Sequence, residues 1–381
     1  MIYLDHAATT PLDPRVLEAM LPYLRDRFGN ASSVHGAGQS ARRAIDRARE
    51  QVASLLHAHP DEIVFTSGGS EADNLAVRGL VAGRTDGRDG IVTSAIEHHA
   101  VLHPCESAAA LGQPVRFIKP DRRGRVAPED VEAALDERTA LVSVMAANNE
   151  LGTIEPVREI AAAAHRHGAL AHTDAVQMAG QLPLNVDELG VDALSLTAHK
   201  FYGPQGVGAL YLRRGTRIAP QQLGGGHERG RRAGTENVAG IVGLGAAAEI
   251  SRSEMAAHGE AVARRRDRLW AALQGAPGVE RLGDAEHSLP GHLCLRFAGV
   301  DGEALVLNLD LRQICASMGS ACSSGSLEAS HVLRAIGLDD EAARGAVRLT
   351  VGRGNTDAEI DEAAEAVRGI VLRQRELAAR G

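Results

Sequence analysis

Short apolar runs alternate with stretches of helical period from about residue 40 to residue 250, and this rhythm constrains the fold more than any other feature. "EIVFTS" (62–67), "GIVTSA" (90–95), "PVRFIKP" (114–120), "ALVSVMAA" (140–147), "ALAHTDA" (169–175), "ALSLTAH" (193–199) and "GVGALYL" (206–212) read as strands. Ala41 to Leu56, Glu71 to Val81, Pro128 to Leu135 and Pro156 to His167 read as helices between them. Such alternation predicts an α/β domain on a mostly parallel sheet, because parallel neighbours need a long crossover that is usually helical. Ligands of such sheets sit beyond the carboxyl ends of the strands.

The pattern changes after residue 250. A charged helical stretch, Ser253 to Leu273, leads into the strand "HLCLRF" (292–297), a helix-like "GEALVLNLD", the strand "AVRLTV" (346–351) and an amphipathic helix from Asp357. This predicts a smaller α+β domain. The expected division is a large domain over 12–255, with 1–11 and 256–381 forming the small one.

A chain of 381 residues, 44% hydrophobic and 24% charged, has the balance of a protein with a sizeable core. A net charge of -8 argues against nucleic acid as a partner. "RRGR" (122–125) and "ARRRDR" (263–268) read as a solvated turn and helix face. The N-terminal "MIYLDHAATTPLDP" lacks the basic start and apolar stretch of a signal peptide. Val238 to Ile250, the most apolar window, is too short to span a bilayer. Cys105, Cys294, Cys315 and Cys322 follow no metal spacing, so a cytoplasmic location is expected.

Only two of the 41 basic residues are lysine, Lys119 and Lys200. Arginine serves wherever a fixed cation suffices; a lysine retained at a strand end offers an amine that can lose its proton. Two further features sit at strand ends. In "TSGGSEADN", Gly68 and Gly69 permit a tight turn and Ser70 falls at a helix start, which is a phosphate-type anion site, although a plain Ser N-cap fits the same letters. In "HTDAVQ", Asp174 ends a strand. Neither G-x-x-x-x-G-K-[ST] nor G-x-G-x-x-G is present there, which disfavours ATP and dinucleotides. A phosphate cradle, a strand-end carboxylate and an isolated lysine together suggest pyridoxal phosphate. "IEHHA" adds an imidazole that can stack on a flat ring. "MGSACSSGS" sets Cys322 among small polar residues, the setting of an accessible thiol nucleophile. Cys294 and Cys315 lie in strand-like runs, and Cys105 at a helix-like start.

With these residues in view the chain resembles the cysteine desulfurases of the NifS and IscS group, within the fold-type I pyridoxal phosphate enzymes. The likeness runs from "YLDHAATTP" through "ASSVHGAG", "EIVFTSGGSEADNLA", "EHHAVL", "NNELGT", "HTDAVQ", "LTAHKFYGPQGVGALY" and "GGGHERGRRAGTENV" to "GSACSSGS" and "VRLTVGR". The resemblance implies that Lys200 carries the cofactor as a Schiff base, and that His98 stacks on its ring and shares in proton transfer. It implies that Asp174 pairs with the pyridine nitrogen and that Asn149 and Gln177 contact the ring's oxygen or edge. Gly69, Ser70, Thr197 and His199 would hold the phosphate, completed by Thr235 from the second subunit of a homodimer. Arg348 would bind the substrate carboxylate, beside Asn149, although a structural ion pair is the reasonable alternative for it. Cys322, in a loop at about 317–330, would accept sulfur from L-cysteine as a persulfide. A protein acceptor such as an Fe–S scaffold would receive it. A selenocysteine lyase or other fold-type I lyase or aminotransferase, and a catalytically silent sulfur-relay scaffold, are the competing expectations. Neither nucleic acid nor a membrane is an expected partner.

Overall fold

The computed structural model describes residues 1–318 and 329–379. Thirteen strands occur among these: β1 (Ile2–Tyr3), β2 (Ile63–Thr66), β3 (Gly90–Ser94), β4 (Val115–Ile118), β5 (Thr139–Ser143), β6 (Leu170–Asp174), β7 (Ala193–Thr197), β8 (Gly208–Leu212), β9 (Val279–Leu282), β10 (His292–Phe297), β11 (Ile314–Cys315), β12 (Ser317–Met318) and β13 (Ala346–Thr350). Seven form one sheet in the order β2-β8-β7-β6-β5-β3-β4. All neighbours are parallel except β8, which runs antiparallel to both β2 and β7. Every strand expected before residue 250 is present. "ALVSVMAA" stops pairing at Ser143, however, and its second half becomes a loop leading to Asn149.

Alternation within the strands explains the layering. Ile63, Phe65, Leu194 and Leu196 pack with helix Gly36–Leu56 and the first half of helix Val238–Leu273. Val64, Ala193, Leu210 and Leu212 face the other way, against helices Gly69–Ala82 and His99–Ala110. A sheet covered on both faces needs near-continuous apolar strands, as this sequence has. Cys105 is buried in the middle of helix His99–Ala110 rather than at a helix start. The helix begins six residues earlier because His98 caps it through its own side chain, a cap that the sequence pattern does not advertise.

A second, antiparallel sheet has the order β12-β13-β10-β9, and β1 pairs in parallel with β11. Its core gathers Leu293, Leu295, Val347 and Leu349 against the last helix, Asp357–Ala378, whose start is fixed by a Thr356–Glu359 capping box. Helix Val238–Leu273 runs unbroken through residue 255. Ile241 and Leu244 belong to the first core, and Val262, Leu269 and Leu273 to the second. The apolar window and the charged stretch, separate in the sequence, are one 36-residue helix. Among the described residues no helix is long and apolar enough to cross a membrane.

Candidate functional site

The parallel strands of the large sheet, and β2 with them, end on one side. The chain leaving β2, β3, β5, β6 and β7 delivers a different group from each to a cavity of about 310 Å³. After β2 the helix Gly69–Ala82 starts at once, with Gly68 as its cap residue and no side-chain cap. Ser70 is therefore not an N-cap. The first helical bond runs from Ala72 N–H to the Gly68 carbonyl, so the N–H groups before it have no helical partner. Gly69 and Ser70 line the cavity. A Cβ at position 69 would stand 2.8 Å from Val176 Cγ2, so the close approach of helix start and loop requires glycine.

Asp174 ends β6 and is buried, with Oδ1 accepting from the Val176 N–H at 2.8 Å. Burial pushes its carboxyl up to about 6, against the attraction of Lys200. Lys200 lies in a single 3-10 turn after β7, and its Nζ donates to the carbonyls of Ala7 at 2.5 Å and Ala8 at 2.8 Å. Gln177 Nε2 donates to the same Ala7 carbonyl at 2.9 Å. Thr197 and His199 flank Lys200. Thr197 Oγ1 donates to the Val207 carbonyl at 3.1 Å, and His199 Nδ1 is 3.1 Å from Thr9 Oγ1.

His98, in the loop after β3, accepts the Ala100 N–H on Nδ1 at 3.1 Å. Burial and the nearby Lys200 hold the ring down to about 4. It is therefore neutral at pH 7, with its hydrogen on Nε2. Asn149 reaches the cavity from the loop after β5, and its carbonyl accepts from Arg348 at 2.8 Å. Arg348, on β13 of the second sheet, is buried and pairs with Asp5 at 2.8 Å. Its Nε has no partner among the described residues. Arg348 is thus both a structural ion pair and a wall of the cavity.

Ten of the expected residues converge here: Gly69, Ser70, His98, Asn149, Asp174, Gln177, Thr197, His199, Lys200 and Arg348. Thr235 is exposed and lines no part of this cavity. Cys322 lies outside the described residues. Sequence reasoning missed Asp73, which also lines the cavity. One turn beyond Ser70 on the same helix, it is buried, and its carboxyl is pushed well up by burial and by Asp174. Its spacing from Ser70 was the available signal. The Ala7 and Ala8 carbonyls were missed because a backbone acceptor carries no residue signature.

The donor set fits pyridoxal phosphate: free N–H groups and hydroxyls for a phosphate, a carboxylate for the ring nitrogen and an amine for the aldehyde. Comparison with known proteins agrees. The Aminotransferase class-V family model matches residues 2–362. A cysteine desulfurase IscS of Dictyoglomus turgidum is 46% identical, over 98% of this chain and 95% of its own length. A cysteine desulfurase of Gluconacetobacter diazotrophicus is 47% identical, over 99% and 94%. A solved NifS-like protein superposes with a TM-score of 0.91 at 38% identity, covering 97% of this chain and 99% of that one.

Proposed function

The chain belongs to the class-V aminotransferase family, and from that premise we propose that it is a pyridoxal-phosphate-dependent cysteine desulfurase, which converts L-cysteine to L-alanine and keeps the sulfur on Cys322. The observation that carries this reading is the convergence of Lys200, Asp174 and the Gly69–Ser70 helix start on one cavity.

When bound, pyridoxal phosphate supplies an electron-accepting ring that makes the bonds around the amino acid's Cα and Cβ breakable. The residues do the rest. Gly69, Ser70, Thr197 and His199 hold the phosphate against the helix start. Thr235 completes that cradle from a second copy of the chain, which makes the working unit a homodimer. Asp174 keeps a proton on the ring nitrogen. Asn149 and Gln177 orient the ring edge, while His98 covers its face and presents its Nε2–H to the reacting groups. Lys200 Nζ takes the Cα proton and returns it elsewhere. Arg348 orients the substrate carboxylate with the N–H groups that Asp5 and Asn149 leave over. Cys322 reacts as a thiolate, having first lost its proton. A new S–S bond forms as the substrate Cβ–S bond breaks, and the bonding electrons stay on the carbon that becomes the alanine methyl. The persulfide then serves a protein acceptor, such as a scaffold for Fe–S cluster assembly.

The test is to incubate the cofactor-loaded chain with L-cysteine, assay alanine and weigh the Cys322 peptide. Stoichiometric alanine and one added sulfur are expected. Undiminished alanine from Cys322→Ser would remove Cys322 from the reaction.

A further inference from the structure

A second cavity, of about 60 Å³, lies against Lys200. Among the described residues it shares with the first cavity only Ala7 and Lys200, which stand between the two. Two buried histidines line the second cavity and not the first: His6, 8% exposed, and His292, 2% exposed. His6 Nδ1 and both ring nitrogens of His292 are buried with no hydrogen-bond partner among the described residues. Buried polar atoms seldom go unsatisfied, and a cavity of this volume has room for the water molecules that would satisfy them. Burial holds His6 down to about 4 and His292 down to about 3. Both rings are neutral at pH 7, which leaves His6 Nδ1 and both ring nitrogens of His292 to bond water. Gln181, Ser251 and His258 also line the cavity, and the His258 side chain is 41% exposed, so the space leads towards solvent.

We propose that this second cavity holds a short chain of water molecules through which the Lys200 amine exchanges protons with bulk solvent, separately from the cavity where substrate reacts. The inference rests on Lys200 being the acid–base group of the proposed desulfurase. An N–H bond of the Lys200 ammonium breaks and its proton joins the first water. A different proton leaves the outer water near His258. Recharging runs the relay backwards, and no electrons change hands.

Holoenzyme incubated with L-alanine in deuterium oxide reads this exchange. Taking the Cα hydrogen leaves Lys200 an ammonium with one protium and two deuterons, and the lighter protium returns preferentially unless it has first exchanged with solvent. Wild type is expected to incorporate deuterium at Cα, measured by mass spectrometry. His292→Phe and Ser251→Leu, with cofactor absorbance and alanine affinity retained, are expected to incorporate it about two- to fourfold more slowly, as the unexchanged protium returns ahead of the deuterons. Undiminished incorporation in both variants would overturn the proposal. A high-resolution crystal structure gives a readout independent of turnover. Ordered waters bonded to His6 Nδ1 and His292 are expected, and a dry cavity overturns the relay. A wild-type chain that binds no cofactor would instead fail the desulfurase reading, and the water density would still decide the cavity.

Discussion

The guanidinium of Arg353 lies 3.7 Å from the centre of the Tyr202 ring, and the Arg353 N–H donates to the Tyr202 hydroxyl at 2.8 Å. Tyr202 stands two residues after Lys200 in the left-handed region, with φ 66°, a conformation that costs a bulky side chain. Its N–H donates to Thr10 Oγ1 at 2.7 Å, and its carbonyl accepts from Asp13 at 3.0 Å. Arg353 also pairs with Asp13. The turn bearing Lys200 is thus held in a strained shape by the N-terminal segment and by the chain just after β13.

Arg353→Ala should destabilise the protein by about 1–3 kcal/mol, from loss of the ring contact and of a largely buried ion pair, as read by denaturant unfolding. Acid titration isolates the charge. Hydrogen bonding from Arg15, aided by Arg353, holds the Asp13 carboxyl down to about 2. A depressed carboxyl stabilises above its unfolded pKa of about 4 and loses that contribution as pH falls towards 2. Asp13→Asn should therefore shed part of the acid limb of the unfolding curve. An unchanged limb would show that the pair contributes nothing.

The apoprotein should lose thermal stability as pH rises from about 6.5 to 8. Burial pushes Glu97 and Glu155 up to about 8 and Glu150 up to about 7. A raised carboxyl stabilises while protonated and loses that contribution as pH rises through its folded value. Below about 6.5 the buried neutral rings of His6, His98, His172, His199 and His292 oppose this trend, because the unfolded chain takes up the protons they refuse. Glu155→Gln should flatten the alkaline slope in melting curves. A melting temperature that rises over this interval would contradict the assignment.

Gly69→Ala should weaken pyridoxal phosphate binding by roughly tenfold, because the new methyl meets Val176 2.8 Å away at the helix start. Val176→Ala in the same chain should restore most of the affinity in a cofactor titration. Failure of that rescue would place the damage elsewhere.

Lys200→Ala and Lys200→Arg should both lack the visible absorbance of the reconstituted protein. A guanidinium keeps the charge but supplies no amine to join the aldehyde. Borohydride reduction of wild type should fix the cofactor on the Lys200 peptide. Label on Lys119 would sink the assignment.

Thr235→Ala mixed with Lys200→Ala should regain desulfurase activity that neither chain has at full strength alone. In the proposed homodimer, one cavity of the mixed pair would keep Lys200 and receive Thr235 from the other chain. Activity no higher than the average of the parents would mean that each chain uses its own Thr235.

Local pattern alone determined much of this protein. The strands declare themselves because a sheet covered on both faces needs apolar runs of strand length, and the helices between them follow from period. Lys200, Asp174 and Ser70 were legible because strand ends in such a sheet face one crevice, whatever the separation in sequence. Contacts between distant segments were decided only by the folded chain. The carbonyls of Ala7 and Ala8 reach Lys200 across more than 190 residues, and Arg348 meets Asp5 across 343. No periodicity encodes such meetings, since they depend on how the second sheet and the N-terminal strap dock on the first. The same holds for the joining of an apolar and a charged stretch into helix Val238–Leu273, whose two halves answer to two different cores. Burial did the rest. It is a property of the packed molecule, and it pushes ordinary carboxyls such as Asp73 and Glu97 well above their usual range.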